Sequence, residues 1–167
     1  MWLIFAFGAI ATSGSPTAMD NARIDSVLKK VSEKVERRGN VWRVEVETYS
    51  LMVITDERAD RMRVMSLIGP AEKLDRVLLE RMMQANFDSA LDARYAIANE
   101  KLWSVFIRPL SSLTDRDLIS GVAQTINCVA TFGASFSSGA LVFGGGDSPR
   151  LEAERLQRLL KKGEVEL

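Results

Sequence analysis

Trp42-Arg43-Val44-Glu45-Val46-Glu47 opens the stretch that decides the fold. Trp42, Val44 and Val46 alternate with Arg43, Glu45 and Glu47, the two-residue period of a strand with one buried face. Thr48-Tyr49-Ser50 separates this run from Leu51 to Thr55, and the turn Asp56 to Asp60 separates that from Arg61 to Ile68. Three strand-like runs joined by short turns predict an antiparallel meander, which Gly69-Pro70 ends.

The neighbours of this stretch change period. Upstream, Ile24, Val27, Leu28, Val31 and Val35 recur at spacings of three and four, with Lys29, Lys30, Glu33, Lys34, Glu36, Arg37 and Arg38 on the other side. That spacing predicts an amphipathic helix from Asp20 to Gly39. Downstream, Leu74, Val77, Leu78 and Met82 give a second helix over Glu72 to Asn86. Leu91, Ala93, Tyr95 and Ile97, the turn Asn99-Glu100-Lys101, and the run Leu102 to Arg108 then predict a hairpin ended by Pro109. Thr114 followed by Asp117 has the spacing of a capping box, and Leu118, Val122, Ile126 and Val129 form one stripe of a third helix ending near Gly133. A charged helix from Arg150 to Lys162 follows Ser148-Pro149.

With 167 residues, 47% of them hydrophobic, the chain is sized for one core. We therefore expect one α+β domain over residues 20–143: helix, three-stranded antiparallel meander, helix, two-stranded hairpin, helix, with helices on one face of the five strands. A Gly hinge at 144–149 and a C-terminal helix over 150–167 follow. Residues 1–18 carry no ionisable side chain and contain the apolar run Trp2 to Ala11, which predicts an export signal peptide or else an unstructured leader before Met19. The first reading places the protein outside the cytoplasm, in the periplasm, and the second inside it. The run is too short for a stable membrane span.

Composition narrows the chemistry. Lys+Arg and Asp+Glu both total 22, which argues against a nucleic-acid partner bound by bulk charge. The chain has no histidine and one cysteine, Cys128, so it lacks His-dependent catalysis, His-ligated metals, thiolate clusters and internal disulfides. No cofactor and no metal is implied. Asp56, Glu57 and Asp60 share their loop with Arg58 and Arg61, the composition of a solvated turn rather than a buried acid pair. Asp88 and Asp92 are not set on one surface, and Ser120-Gly121 lies in a helix without the GxSxG context of a nucleophile. Gly144-Gly145-Gly146 lacks the lysine and hydroxyl of a phosphate loop and reads as a hinge.

Leu118 to Gly146 contains no charged residue. It is either a core helix followed by a polar loop, or an interface built from Val129, Phe132, Phe136, Leu141 and Phe143. A second copy of the chain can bury that interface. So can the terminal helix, which carries Leu151, Leu156, Leu159 and Leu160 along one side. Met62, Met65, Met82 and Met83 are either core filler or the lining of an adaptable peptide groove. Trp103 and Phe106 fall on opposite faces of one strand, so each must meet a different environment.

The order of elements, together with Met82-Met83-Gln84-Ala85-Asn86-Phe87, Ala93-Arg94-Tyr95-Ala96-Ile97, Leu102-Trp103-Ser104 and Arg108-Pro109-Leu110, resembles the type III secretion chaperone fold shared with YbjN-like proteins. The resemblance covers approximately Asp20 to Phe132. It implies a non-enzymatic domain that forms homodimers and holds an extended segment of a partner protein.

Two functions follow as expectations. The first is a protein-binding module, chaperone-like or adaptor, that takes a peptide along a sheet edge. The second is a small-ligand or enzymatic domain with a pocket between sheet and third helix, anchored by Arg94, Tyr95 and Arg108.

Overall fold

The computed structural model describes residues 19–88, 92–132 and 148–165. The leader, residues 144–147 of the expected hinge, Phe136, Leu141 and Phe143 lie outside the described residues, while Ser148 and Pro149, expected in the hinge, begin the last helix. Helix α1 spans Asn21–Val31, capped by the Asp20 carboxylate, which accepts the Arg23 backbone N–H at 2.7 Å. Strands β1 (Lys34–Arg38), β2 (Val41–Val46), β3 (Tyr49–Asp56) and β4 (Arg61–Pro70) follow as a meander. A 3-10 turn at Ala71–Lys73 leads to α2 (Arg76–Asp88), then β5 (Arg94–Ala98), β6 (Lys101–Arg108), α3 (Asp115–Thr131) and α4 (Ser148–Gly163). The strands form one six-stranded antiparallel sheet in the order β1-β2-β3-β4-β6-β5.

The α+β class and the element order agree with the sequence reading, with one correction. The first helix stops at Val31 instead of running to Gly39, and residues 34–38 add a fourth strand to the meander and a sixth to the sheet. Val35 fits either periodicity, because it lies four residues after Val31. Ser32 is already extended (ψ 156°), and Arg38↔Val41 closes a two-residue turn at Gly39, whose φ of +62° costs glycine nothing. Val35 then packs against the core, and the Arg37 guanidinium lies 4.6 Å from the centre of the buried Trp42 ring.

One sheet face is covered. Trp42, Val44, Val46, Leu51, Val53, Met62, Val64 and Phe106 meet Ile24, Leu28 and Val31 of α1 and Leu118, Ile119, Val122 and Ile126 of α3. The capping box opens α3 as its spacing predicts: the Thr114 hydroxyl accepts the Asp117 N–H at 3.1 Å, and Asp117 accepts the Thr114 N–H at 3.0 Å. Gly121 brings this helix onto the Phe106 ring, where a Cβ would lie 2.5 Å from ring carbons. A smaller cluster of Met82, Ala85, Tyr95 and Leu102 joins α2 to the β5–β6 end.

The terminal helix packs on α1 and α3. Leu159 and Leu160 are buried in the main core, Leu156 packs at its margin, and Leu151 remains exposed. Glu47 in the β2–β3 turn holds Arg155 at 3.2 Å and Arg158 at 2.9 Å, and Glu33 holds Lys162 at 2.6 Å. Burial pushes the Glu47 carboxyl up, but the hydrogen bonds from Arg158 and Arg155 outweigh it and leave its pKa below the ordinary value.

Candidate functional site

Alternate residues of the strands point away from the helices, and no described element covers them. On β2 these are Val41, Arg43 and Glu45; on β3, Ser50, Met52 and Ile54; on β4, Arg63, Met65 and Leu67; on β6, Trp103, Val105 and Ile107. Register aligns them into rows: Arg43, Met52, Met65 and Val105 in one, Val41, Ile54, Arg63 and Ile107 in the next, with Leu67 opposite Trp103. Seven of these form an apolar patch: Met52, Ile54, Met65, Leu67, Trp103, Val105 and Ile107. Leu67 and Ile107 are each 47% exposed.

The patch contains a shallow concavity of about 400 Å³ whose apolar side chains are Met52, Met65, Leu67 and Trp103, with Lys34, Glu36, Arg43 and Glu45 at its rim. Trp103 is held by its indole N–H, which donates to the Ala98 carbonyl at 3.1 Å. Lys34 pairs with Glu36 at 2.9 Å and reaches Glu45 at 4.0 Å. The hydrogen bond to Glu36 raises the Lys34 ammonium pKa above its ordinary value. Arg38, Arg43 and Arg63 are exposed, and among the described residues no carboxylate forms a salt bridge with them.

The sheet edges are less available than its face. β1 presents Lys34, Glu36, Arg37 and Arg38, the charged composition that discourages strand addition. On β5 the Asn86 amide closes the backbone of Tyr95, donating to its carbonyl at 3.1 Å and accepting its N–H at 2.8 Å. Gln124 Oε1 likewise accepts the N–H groups of Asp92 at 2.8 Å and Ala93 at 3.1 Å. Asn86 thus occupies the outward backbone groups of Tyr95, one of the positions on β5 that an added strand would use.

No family model and no curated protein sequence matches the chain. Among solved structures, a chain of the HopA1-SchA chaperone-effector complex is similar to it, with a TM-score of 0.51 at 12% identity, over 65% of this chain and 87% of that one. The fold resembles that of a type III secretion chaperone. At this identity the likeness concerns the fold alone.

Within this chaperone-like fold, each of the three expected ligand anchors has partners of its own, and Arg94 also acts electrostatically on Cys128, whose carbonyl takes the Tyr95 hydroxyl. Arg94 and Tyr95 are neighbours on β5 and take opposite faces. Arg94 donates to the Ala93 carbonyl at 3.1 Å. Tyr95 is buried against Phe132, ring centroids 5.9 Å apart, and its hydroxyl donates to the Cys128 carbonyl at 3.1 Å. Burial pushes the Tyr95 phenol far above its ordinary pKa. Arg108 pairs with Asp92 and lies over the Phe106 ring at 5.6 Å. None of the three lines the open-face concavity.

Of the expected interface residues, Val129 and Phe132 are among the described ones. Val129 and Phe132 are half-buried, and Phe132 packs into the Tyr95 cluster. The sharper apolar exposure is on α2 and β5, where Phe87 is 89%, Val77 60%, Met83 56% and Ile97 52% exposed. Met62 and Met82 are core residues, whereas Met65 lies on the open face and Met83 on the surface of α2.

The remaining candidates are structural. The Asp60 carboxylate accepts the Ser111 N–H at 2.8 Å and hydroxyl at 2.7 Å, tying the β3–β4 turn to the loop after β6, and these bonds lower its pKa. Burial pushes the Cys128 thiol up to about 11, which disfavours a thiolate nucleophile. Among the described residues no group of His, Cys, Asp and Glu is arranged to hold a metal, and no helix is long and apolar enough to cross a membrane.

Trp103 and Phe106 on one strand signalled the open face: Phe106 is in the core and Trp103 on the uncovered side. Met52, Ile54 and Leu67 went unremarked as site residues, although an unbroken apolar run such as Leu51 to Ile54 places apolar groups on both faces of a strand.

Proposed function

We propose that the chain is a protein-binding, chaperone-like module that holds a segment of a partner protein on the open sheet face. The observation that carries this reading is the uncovered apolar patch around Met52, Met65, Leu67 and Trp103, a contiguous surface of the kind that marks contact sites. Its two methionines suit a surface that must fit more than one side chain. The chaperone-like fold supports it as analogy. Binding by the face is favoured over strand addition, because Asn86 occupies the outward backbone of Tyr95 on β5 and charges crowd β1. An export leader over residues 1–18 belongs to the same proposal, and fractionation of cells expressing the full chain tests it.

Leu67→Asp with Ile107→Asp is the test of the face. Both side chains are half-exposed, so melting should change little, while a partner retained by the unaltered chain should be lost. Retention of the same partner by this variant would overturn the reading.

Exposed Phe87, Met83 and Val77 on α2 favour a second element of the reading, a homodimer formed through α2. Met83→Glu with Phe87→Glu should convert a dimer to a monomer in light scattering at tens of micromolar protein. A dimer that survives this change but is lost with Phe136→Asp and Phe143→Asp would return the interface to the segment after α3.

A further inference from the structure

Charge on the open face is uneven in a way that specifies a partner. Lys34 is shared by Glu36 and Glu45, and Arg43 and Arg38 also act electrostatically on Glu36, so Lys34, Arg38, Arg43 and Arg63 set four positive charges against two carboxylates on this face. Arg38, Arg43 and Arg63 are exposed, with no salt-bridge carboxylate among the described residues. Local positive charge therefore borders an apolar patch on a chain whose net charge is zero.

The spacing of the arginines carries the argument further. Arg38, Val41, Ile54 and Arg63 occupy consecutive strands β1, β2, β3 and β4 in one register row. Three interstrand steps separate the two arginines, about 14 Å. An extended chain advances about 3.3 Å per residue and turns alternate side chains to the same side. Crossing the row therefore places residues i and i+4 over Arg38 and Arg63, and residue i+2 over Val41 and Ile54.

We propose that the open face selects an extended partner segment of the pattern acidic-x-apolar-x-acidic, an inference that rests on the docking reading above. The two carboxylates engage Arg38 and Arg63 in forked hydrogen bonds, and the central apolar side chain lies on Val41 and Ile54. A further apolar residue enters the concavity lined by Met52, Met65, Leu67 and Trp103. Arg43, opposite Glu36 in the next row, is partly offset by that carboxylate, which leaves Arg38 and Arg63 as the main anchors. An anionic membrane also pairs negative charge with apolar groups. It is disfavoured here because Glu36 and Glu45 would face a plane of phosphates and because the patch is concave.

The test uses the full chain and three synthetic peptides: glutamates flanking a leucine at alternating positions, the same peptide with lysines for the glutamates, and one with glutamines. Fluorescence titration at low salt should rank glutamate first, about tenfold over glutamine, with the preference shrinking as salt screens the pairs. Arg38→Glu with Arg63→Glu should reverse the order of the glutamate and lysine peptides while leaving the melting curve in place, since both side chains are exposed. Equal binding of all three peptides, lost with Leu67→Asp, would overturn the charge selection and leave the docking reading intact. A lysine preference in the unaltered chain would overturn it, as would binding to phosphatidylserine vesicles with no peptide binding. Failure of every peptide would also overturn it, and the partner-retention experiment with Leu67→Asp and Ile107→Asp would then decide the docking reading separately.

Discussion

Gly121→Ala is expected to destabilise the protein, whereas the same change on an exposed helix adds stability. In a helix interior alanine gains about 1 kcal/mol over glycine. Here the new Cβ would lie 2.5 Å from both Cδ1 and Cε1 of Phe106, a ring that is 1% exposed. Strand β6 holds the ring from below and α3 from above, so relief requires the helix to lift or the ring to leave its rotamer. Overpacking of this kind costs about 1 to 3 kcal/mol, which exceeds the helix gain at the upper end and is larger still for Gly121→Val. Urea denaturation reads the result as a lower midpoint, and Phe106→Leu combined with Gly121→Ala should recover part of it, since the two positions share one volume. A midpoint unchanged or raised in Gly121→Ala alone would show that α3 stands further from the sheet.

How far the sequence foretold this arrangement differs from element to element. The strands β2, β3, β4 and β6 were legible because alternation or apolar runs bounded by turn residues admit few other readings. The start of α3 was legible because a capping box is a local device, complete within Thr114 to Asp117. Strand β1 was not, because its one apolar residue, Val35, keeps helical spacing from Val31; pairing with β2 and packing of Arg37 on Trp42 decide its state, and both are contacts across the sheet. The partners of the candidate anchors were hidden for the same reason. Arg108 finds Asp92, and Tyr95 finds Cys128 and Asn86, through approaches between distant elements that no spacing encodes. Asn86 reads as a polar helix residue in sequence and acts as the closure of a sheet edge in the structure.

Ending the chain after Asp147 should remove cooperative folding or leave a strongly destabilised, self-associating domain. The lost helix α4 contributes Leu159 and Leu160 to the main core, at about 1.5 to 3 kcal/mol for each side chain withdrawn from water. Its removal also uncovers Ile119 and Val31, both fully buried and both within 3.1 Å of the position a Cβ on Gly163 would take. The loss is comparable with the whole stability of an ordinary domain, about 5 to 15 kcal/mol. The ion pairs contribute less, because Arg158, Lys162 and Glu33 are largely exposed and screened. They nonetheless give the docking a pH dependence. Glu47 and Glu33 have pKa values in the folded chain below the ordinary 4.5, so their contribution is present above that value and is lost as pH falls through the depressed ones. Leu159→Ala should lower the urea midpoint at every pH, while Glu47→Gln should matter at neutral pH and converge with the unaltered chain in acid. A truncated chain that still melts in one sharp transition as a monomer would show α4 to be an appendage, with α1 and α3 sufficient to cover the sheet.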